Sequence, residues 1–246
     1  MKRLIALYLF AWLSLGEFSA IRSSQAGMVQ AQQYEQFWIW GDISTADYLK
    51  KAKVLYILQG QVTDRHENKT SRFIRQGIAP RPLKNQRIWV VIRSQHLNWT
   101  EQDYHQAFQL LRQWQQHGNQ VQGLQIDFDS KTKRMYDYAL FLQQLRQKLP
   151  PEYQLSITGL MDWSNITDTR TLVLLKASID EIAIQTYQGT RTTVDYEKYL
   201  QRMTRLGLPF KVGLVQNGQF DHHPNYQKSA LFKGHIVFLL RSKPRI

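Results

Sequence analysis

The sequence predicts an α/β fold, a single (β/α)8 TIM-type barrel. Eight short apolar runs lie along the chain, most of them roughly 26–34 residues apart, and helical patterns separate them. One run, Val121–Asp127, alternates apolar and polar residues, as expected for a strand with helices on one face and the barrel interior on the other. A length of 246 residues suits one large domain, and neither a linker nor an internal repeat interrupts it.

The eight runs are the predicted barrel strands. They are short, rich in β-branched and aromatic residues, and bounded by polar or helical segments, which is typical of strands in a parallel sheet. In chain order they are Gln36–Trp40, Val54–Gln59, Arg87–Arg93, Val121–Asp127, Gln154–Leu160, Glu181–Tyr187, Pro209–Val215 and His235–Leu240.

The connections between the runs carry helical patterns. Apolar residues recur at helical spacing in Thr100–His117, Lys133–Leu149 and Val194–Leu206. A threonine cap opens the first of these, two prolines follow the second, and a glycine ends the third. The long connection Val62–Gln86 predicts one helix near Lys69–Arg75 and a loop. The segment after the eighth run is very short, which predicts that the final helix is missing or is supplied by something else.

The fourth run also predicts which side chains enter the barrel. Because successive side chains of a strand point to opposite faces, one set should contact helices and the other should line the interior and its mouth. The first set is Leu124, Ile126 and Phe128, and the second is Gln125, Asp127 and Asp129. Acids inside a fold are costly unless they are paired or used, so the second set marks a candidate site.

Residues 1–26 resemble a secretory signal peptide. Lys2 and Arg3 precede an apolar stretch, Leu4 to Leu15, that is too short for a comfortable transmembrane span, and small residues follow it. The alternative is an uncleaved N-terminal anchor, which would be the one contact that we expect with a membrane. We therefore assign the barrel to residues 34–246 and expect a periplasmic or secreted protein.

The composition narrows the classes of partner. The formal charge is +13, which indicates either a solvated basic surface or an anionic partner such as an acidic glycan or a membrane surface. The basic residues are scattered and no recognition motif is present, so we expect no nucleic acid. The chain has no cysteine, and the pair His222 and His223 lacks the spacing of two helical metal ligands. We expect neither a metal nor another cofactor.

Acids, amides, an arginine and aromatic residues stand at the predicted carboxyl ends of the strands, where barrel enzymes have their active sites. Aromatic faces suit sugar rings, and amides and acids suit sugar hydroxyls, so this set predicts a polysaccharide or oligosaccharide ligand. The predicted substrate-binding residues are Trp40, Gln59, Arg93, Asp162, Trp163, Gln185, Gln188 and Gln216, and Asp127, Asp129 and Tyr187 join them as candidate site residues.

Most of these residues also have a purely structural interpretation. Asp129 could cap the helix that follows its strand. Asp127 could be a structural acid that Arg93 neutralises or Tyr187 hydrogen-bonds. For the others the alternatives are core positions for Trp38 and Trp40 and simple turns for Asp162-Trp163 and for Gln216-Asn217-Gly218.

The segment VQGLQIDFD resembles the strand-4 signature of family 18 glycoside hydrolases, the chitinase type, commonly written DGxDxDxE. The positions that fit are Gly123, Leu124, Ile126 and Asp127. Gln122 and Gln125 replace the first two acids, and Asp129 replaces the glutamate that serves as general acid in that family. Tyr187, in IQTYQG, falls where the family keeps a tyrosine that faces the substrate.

A closer resemblance is to the bacterial domain-of-unknown-function family 3142, thought of as a glycosidase-like barrel. It covers roughly residues 36–240 and rests on IDFD with the following YxxFLxxLRxxLP helix, and on LSITGLMDW, DEIAIQTYQG and PFKVGLVQ. The resemblance implies a glycoside hydrolase in which Asp129 is the general acid, Asp127 orients or stabilises, and Tyr187 and Gln185 steady the reacting sugar. A variant would use Asp162 as a second carboxylate.

Two other functions remain open at this point. One is a glycan-binding barrel without catalysis, a degenerate glycosidase that keeps the aromatic residues and amides. The other is a structural envelope protein that uses its basic surface, which a barrel mouth plugged by side chains would favour.

Overall fold

The computed structural model describes residues 27–41, 46–64, 71–83, 85–128, 134–221 and 224–240, apart from the side chains of Asp162, Ser164 and Pro224. The predicted leader, residues 1–26, lies outside this part of the chain, as do Asp129 and the pair His222 and His223.

Eight parallel strands form a closed barrel, as predicted. They are β1 (Gln36–Ile39), β2 (Val54–Asp64), β3 (Arg87–Ser94), β4 (Gln120–Asp127), β5 (Gln154–Gly159), β6 (Glu181–Gln185), β7 (Phe210–Val215) and β8 (Phe232–Phe238). Each strand pairs with its neighbour in chain order, and β8 pairs with β1 to close the barrel. The carboxyl ends of all eight therefore surround one mouth.

Helices follow the strands from β3 onward. They are α1 (Glu101–Gln116), α2 (Met135–Lys148), α3 (Thr169–Ser178), α4 (Tyr196–Met203) and α5 (Pro224–Gln227). Three of the four predicted helices correspond to α1, α2 and α4, whereas α3 and α5 were not predicted. Short 3-10 helices within the described ranges include Ala31–Gln33, Asp47–Lys51, Met161–Asn165 and Thr204–Leu206. Within the described ranges, no helix is long and apolar enough to span a membrane.

The helix predicted near Lys69–Arg75 is wrong. Residues Ser71–Arg75 form a strand that pairs antiparallel with the outer end of β2. That end of β2 extends to Asp64 and leaves an edge for pairing, and the Phe73 ring fills the space above Gly60 where a Cβ atom would otherwise stand. The favourable contact is thus made across the strands, which local helix propensity does not capture.

Four further strands of two residues each form two small antiparallel sheets. Gly27–Met28 pairs with Gln219–Phe220, and Tyr187–Gln188 pairs with Arg191–Thr192, both antiparallel. Val29, which follows the first of these strands, is buried in the core. The segment 27–33, which precedes the predicted start of the barrel at residue 34, therefore packs on the barrel through Val29 and Ala31.

The core has two layers, and the side chains of β4 divide between them as predicted. Leu124 and Ile126 belong to the outer layer between strands and helices, together with Phe128. Gln125 and Asp127 face the interior, where Gln125 is fully buried and hydrogen-bonds to Trp38. The apolar part of the inner layer includes Trp38, Tyr56, Leu58, Trp89 and Val91.

A buried ion pair occupies the amino-terminal end of the barrel. Lys211 Nζ lies 3.3 Å from Glu181 Oε2 and donates to Tyr56 OH at 2.7 Å and to Gln36 Oε1 at 2.8 Å. Tyr56 in turn donates to Glu181 Oε1 at 2.6 Å. Burial lowers the pKa of Lys211 while Glu181 opposes that shift, and burial raises the pKa of Tyr56 well above its usual range. The pair is therefore held by a set of charge-assisted hydrogen bonds.

Hydrogen bonds continue from this pair toward the mouth. Ser156 Oγ donates to Glu181 Oε1 at 3.1 Å and accepts from Gln125 Nε2 at 2.9 Å. Gln125 Oε1 accepts from Trp38 Nε1 at 2.6 Å. This series of hydrogen bonds fixes the side chains that lie directly below the mouth of the barrel.

Candidate functional site

The carboxylate of Asp127 is fixed at the end of β4. Asp127 is 5% exposed, and Thr158 Oγ1 on β5 donates to its Oδ1 at 2.8 Å. Arg93 stands opposite Asp127 in the β3–β4 register, with its Nε 4.0 Å from Oδ2. Three adjacent strands thus deliver an acid, a hydroxyl and a guanidinium to one point.

A pocket of about 780 Å³ opens above this carboxylate. We call it the mouth pocket. Six of the predicted site residues line it, namely Trp40, Arg93, Asp127, Gln185, Tyr187 and Gln188. Below it the free space shrinks to about 10 Å³ between Trp38, Gln125 and Thr158, so the interior is filled while the mouth is open.

Aromatic rings form one wall of the mouth pocket. The Phe238 ring lies edge-on to Trp40 with centroids 5.2 Å apart and stacks on Tyr187 at 5.8 Å. The Arg93 guanidinium lies over the Trp40 ring, 5.3 Å from its centroid. The wall is therefore apolar, with one cation at its edge.

A tight hairpin places Tyr187 and Gln188 on the mouth. Tyr187–Gln188 pairs with Arg191–Thr192 around a turn in which Gly189 has a φ of 59°, a conformation that favours glycine. The preceding Thr186 is buried and bonds through its hydroxyl to the carbonyl of Gly213 on β7 at 2.8 Å. The hairpin is thus anchored to the barrel directly below the pocket.

Gln59 does not join the mouth pocket. Tyr56 and Leu58 face the barrel interior, so Gln59 points outward. Its Oε1 accepts from Trp114 Nε1 on α1 at 2.7 Å, and its Nε2 donates to the carbonyl of Ile78 at 2.8 Å. These bonds tie the strand to its outer layer.

Trp163 and Gln216 are also apart from the pocket. Trp163 is 0% exposed and packs edge-on against Tyr138 of α2, which makes it a core residue of the outer layer. Gln216 Oε1 accepts from the backbone N–H of Leu240 at 3.1 Å, so it joins the ends of β7 and β8. Asp162 follows β5 in the 3-10 helix Met161–Asn165, and its side chain is outside the described part.

Reasoning from the sequence missed several lining residues. Leu160, Met161, Val194 and Phe238 add apolar surface around the rim, and Val194 is 82% exposed. Phe238 could have been predicted, because it lies two residues after Ile236 on β8 and therefore faces the barrel interior as Ile236 does. The loop positions had no periodic signal.

Two chemical features define the site. Within the described side chains that line the mouth pocket, Asp127 is the one carboxylate and Arg93 the one cation. No group of three or more histidine, aspartate or glutamate residues in the described ranges is placed to hold a metal ion. The arrangement can bind a polar ligand with a flat apolar face.

Comparison with protein families confirms the predicted resemblance over part of the chain. Residues 88–194 match the family described as "Domain of unknown function (DUF3142)". That range runs from β3 to the hairpin above the mouth and includes Arg93, Asp127 and Tyr187. No curated protein matches the chain.

Solved structures with similar folds include three spore or plant proteins. The spore cortex-lytic enzyme SleL of Bacillus cereus shares 12% identity with a TM-score of 0.39, over 73% of this chain and 51% of that one. The chitinase domain of the Clostridium difficile spore coat protein CotE shares 12% with a TM-score of 0.49, over 85% and 72%. A class V chitinase from Nicotiana tobaccum shares 11% with a TM-score of 0.43, over 74% and 66%. The chain thus spans about half the length of SleL, and such low similarity says nothing about its substrate.

Proposed function

We propose that this chain is an exported carbohydrate-active barrel that binds a polysaccharide or oligosaccharide in the mouth pocket and hydrolyses a glycosidic bond. The observation that carries the proposal is the combination in one pocket of an aromatic wall, two amides and a fixed carboxylate. Sugars present flat C–H faces and a dense set of hydroxyls, and this combination matches both.

Binding would divide between the wall and the amides. Trp40, Tyr187 and Phe238 would pack against sugar rings, since they form a continuous aromatic surface. Gln185 and Gln188 would exchange hydrogen bonds with hydroxyls, because each amide both donates and accepts.

Asp127 suits an orienting or stabilising role. It accepts a hydrogen bond from Thr158 and faces the Arg93 guanidinium, so its carboxyl group is held in one orientation at the pocket. A negative charge fixed there would stabilise the positive charge that develops on the sugar ring as the glycosidic bond breaks.

The general acid would then be Asp129, two residues beyond Asp127 and of the same parity. It would give its proton to the glycosidic oxygen as the C–O bond breaks. Water would supply a hydroxyl to the anomeric carbon and return a proton to the carboxylate, so atoms and charge balance. The Tyr187 phenol would steady the reacting sugar, and Asp162 is the alternative second carboxylate.

A specific observation favours a second candidate, a glycan-binding barrel without catalysis. The one carboxylate among the described lining side chains is already engaged by Thr158 and Arg93. If no other acid enters the pocket, the wall and the amides still bind sugar. Export to the periplasm or the medium, by way of the leader in residues 1–26, belongs to either proposal.

An activity screen separates the two candidates. Purified full-length protein is incubated with envelope and exopolysaccharide fragments, and new reducing ends are measured. We expect release from at least one glycan and roughly tenfold slower release by Tyr187→Phe, because one hydrogen bond to the reacting sugar is lost. Tyr136→Phe, an exposed tyrosine on α2, is the matched control and should retain the wild-type rate.

Two other outcomes of the screen would decide between the candidates or refute both. Absence of release from every glycan, with binding that Trp40→Ala weakens, would support the binding barrel. Absence of both release and binding would refute the two candidates together.

A further inference from the structure

We propose that the mouth pocket selects an acidic saccharide, with Arg93 binding a carboxylate carried by the sugar. This inference rests on the proposed function and names the substrate class of the same site. The environment of the Arg93 side chain, rather than the general positive charge of the protein, is the feature that favours an acidic ligand.

Arg93 is held in place by contacts other than hydrogen bonds. Its side chain is 42% exposed, lines the mouth pocket and lies over the Trp40 ring. Its Nε is 4.0 Å from Asp127 Oδ2, which is beyond hydrogen-bond distance. Within the described ranges the guanidinium donates no hydrogen bond, although it carries five N–H groups.

Arg146 shows how a structural arginine differs in this chain. Its three nitrogens donate to the carbonyls of Ser178 and Tyr153 and to the carboxylate of Asp180. Those bonds join α2 to the end of α3 and to the residues that precede β5 and β6, and each of the three nitrogens has an acceptor. Arg93 has no such set of partners, so its donors are available to a ligand in the pocket.

The geometry of Arg93 favours a carboxylate over other groups. The guanidinium lies over the Trp40 ring, and its planar fork of N–H groups matches the two oxygens of a carboxylate. A neutral glycan would need only the amides of Gln185 and Gln188 and would offer no anionic acceptor to the N–H groups of Arg93.

The position of Arg93 limits where the ligand's charge lies. Asp127 is buried deeper than Arg93 and is bonded to Thr158, so it cannot rotate to meet the guanidinium more closely without breaking that bond. The short distance between the two residues means that the acidic substituent belongs to the ring at Asp127 or to the ring next to it. A uronic acid meets this requirement.

The test compares two affinities within each protein variant. Tetrasaccharides that contain glucuronate, galacturonate or mannuronate, and their carboxyl-reduced neutral counterparts, are titrated calorimetrically into the full-length protein. We expect wild type to prefer at least one acidic ligand about tenfold or more over its neutral counterpart. Arg93→Met should bring that ratio close to one, and Arg93→Lys should keep part of it because a point charge remains.

The control removes the same charge outside the pocket lining. Arg191 is exposed on the hairpin, and Arg191→Met should leave the ratio at its wild-type value. Because each ratio is measured within one variant, a lower folded fraction does not change it. Sulfated tetrasaccharides of matched charge form a further arm, and equal preference for them would overturn the assignment to a carboxylate.

Failure of this inference is distinct from failure of the proposed function. Equal wild-type affinity for acidic and neutral ligands, or a preference that survives Arg93→Met, would overturn the inference while saccharide binding stands. Absence of binding for every tetrasaccharide, acidic or neutral, would overturn both.

Discussion

Asp129→Asn should lower glycoside hydrolysis by about 10²–10⁴-fold and leave oligosaccharide affinity within a few-fold of wild type. The amide has nearly the shape of the acid but cannot give a proton to the leaving oxygen. Asp127 is a poor substitute for it, because Thr158 and Arg93 already engage its carboxylate. The measurement is kcat on the glycan that the activity screen identifies, together with the dissociation constant for the same glycan.

The control for this variant is Asp137→Asn, which removes the same charge from an exposed position on α2. Its pairing with Arg134 is a surface contact of small energetic value, so activity and stability should not change. Wild-type activity in Asp129→Asn would remove Asp129 from the mechanism. Testing Asp162→Asn would then decide whether the alternative carboxylate acts.

Lys211→Met should lower the free energy of unfolding by about 3–5 kcal/mol, because it leaves Glu181 as a buried charge without its cation. Lys211 is 7% exposed, and it also donates to Tyr56 and Gln36, which would lose a charge-assisted partner. The measurement is urea unfolding at neutral pH, analysed for the midpoint and the slope. Lys233→Met, at an exposed position on β8, should change stability by less than about 0.5 kcal/mol.

A second variant identifies the cause of the loss. Adding Glu181→Gln to Lys211→Met removes the unpaired charge, so the double variant should regain a large part of the stability that Lys211→Met loses. If the double variant is as unstable as the sum of the two single variants, the ion pair is not the source of the effect. A loss below about 1 kcal/mol in Lys211→Met would contradict the buried pair itself.

Most of the fold could be predicted from the order of the apolar runs and from the alternation of side chains along each strand. The eight apolar runs became the eight barrel strands, and alternation along β4 placed Asp127 inside and Leu124 outside. The same rule brought Gln185 and Tyr187 to the mouth. These predictions succeeded because burial on both faces makes most barrel strands read as short apolar runs, while the polar inward side chains of β4 add an alternating pattern.

The prediction of site residues failed where the alternation of inward and outward side chains was not followed along the whole strand. Gln59 was placed at the mouth only because it ends an apolar run, although Leu58 before it faces the interior. Trp163 was chosen for its chemistry, and its ring lies in the outer core instead. Residue type alone does not separate a sugar-binding tryptophan from a core tryptophan, since both need a large apolar contact.

Other features depend on contacts that are distant in sequence. The strand Ser71–Arg75 forms because β2 offers an edge, and α3 contains apolar residues on several faces, which weakens its helical pattern. The ion pair of Glu181 and Lys211 joins two strands and cannot be read from either one. The separation of Arg93 and Asp127, which carries the inference about acidic ligands, likewise emerges only in three dimensions.

The most direct test of the central claim, that the mouth pocket is a saccharide site, is a crystal structure of Asp129→Asn with a bound oligosaccharide from the screen. The ligand should have a sugar ring against the wall of Trp40, Phe238 and Tyr187, with a hydroxyl or ring substituent within hydrogen-bond distance of Asp127. An oligosaccharide bound elsewhere on the protein, with the mouth pocket empty of sugar, would contradict the account.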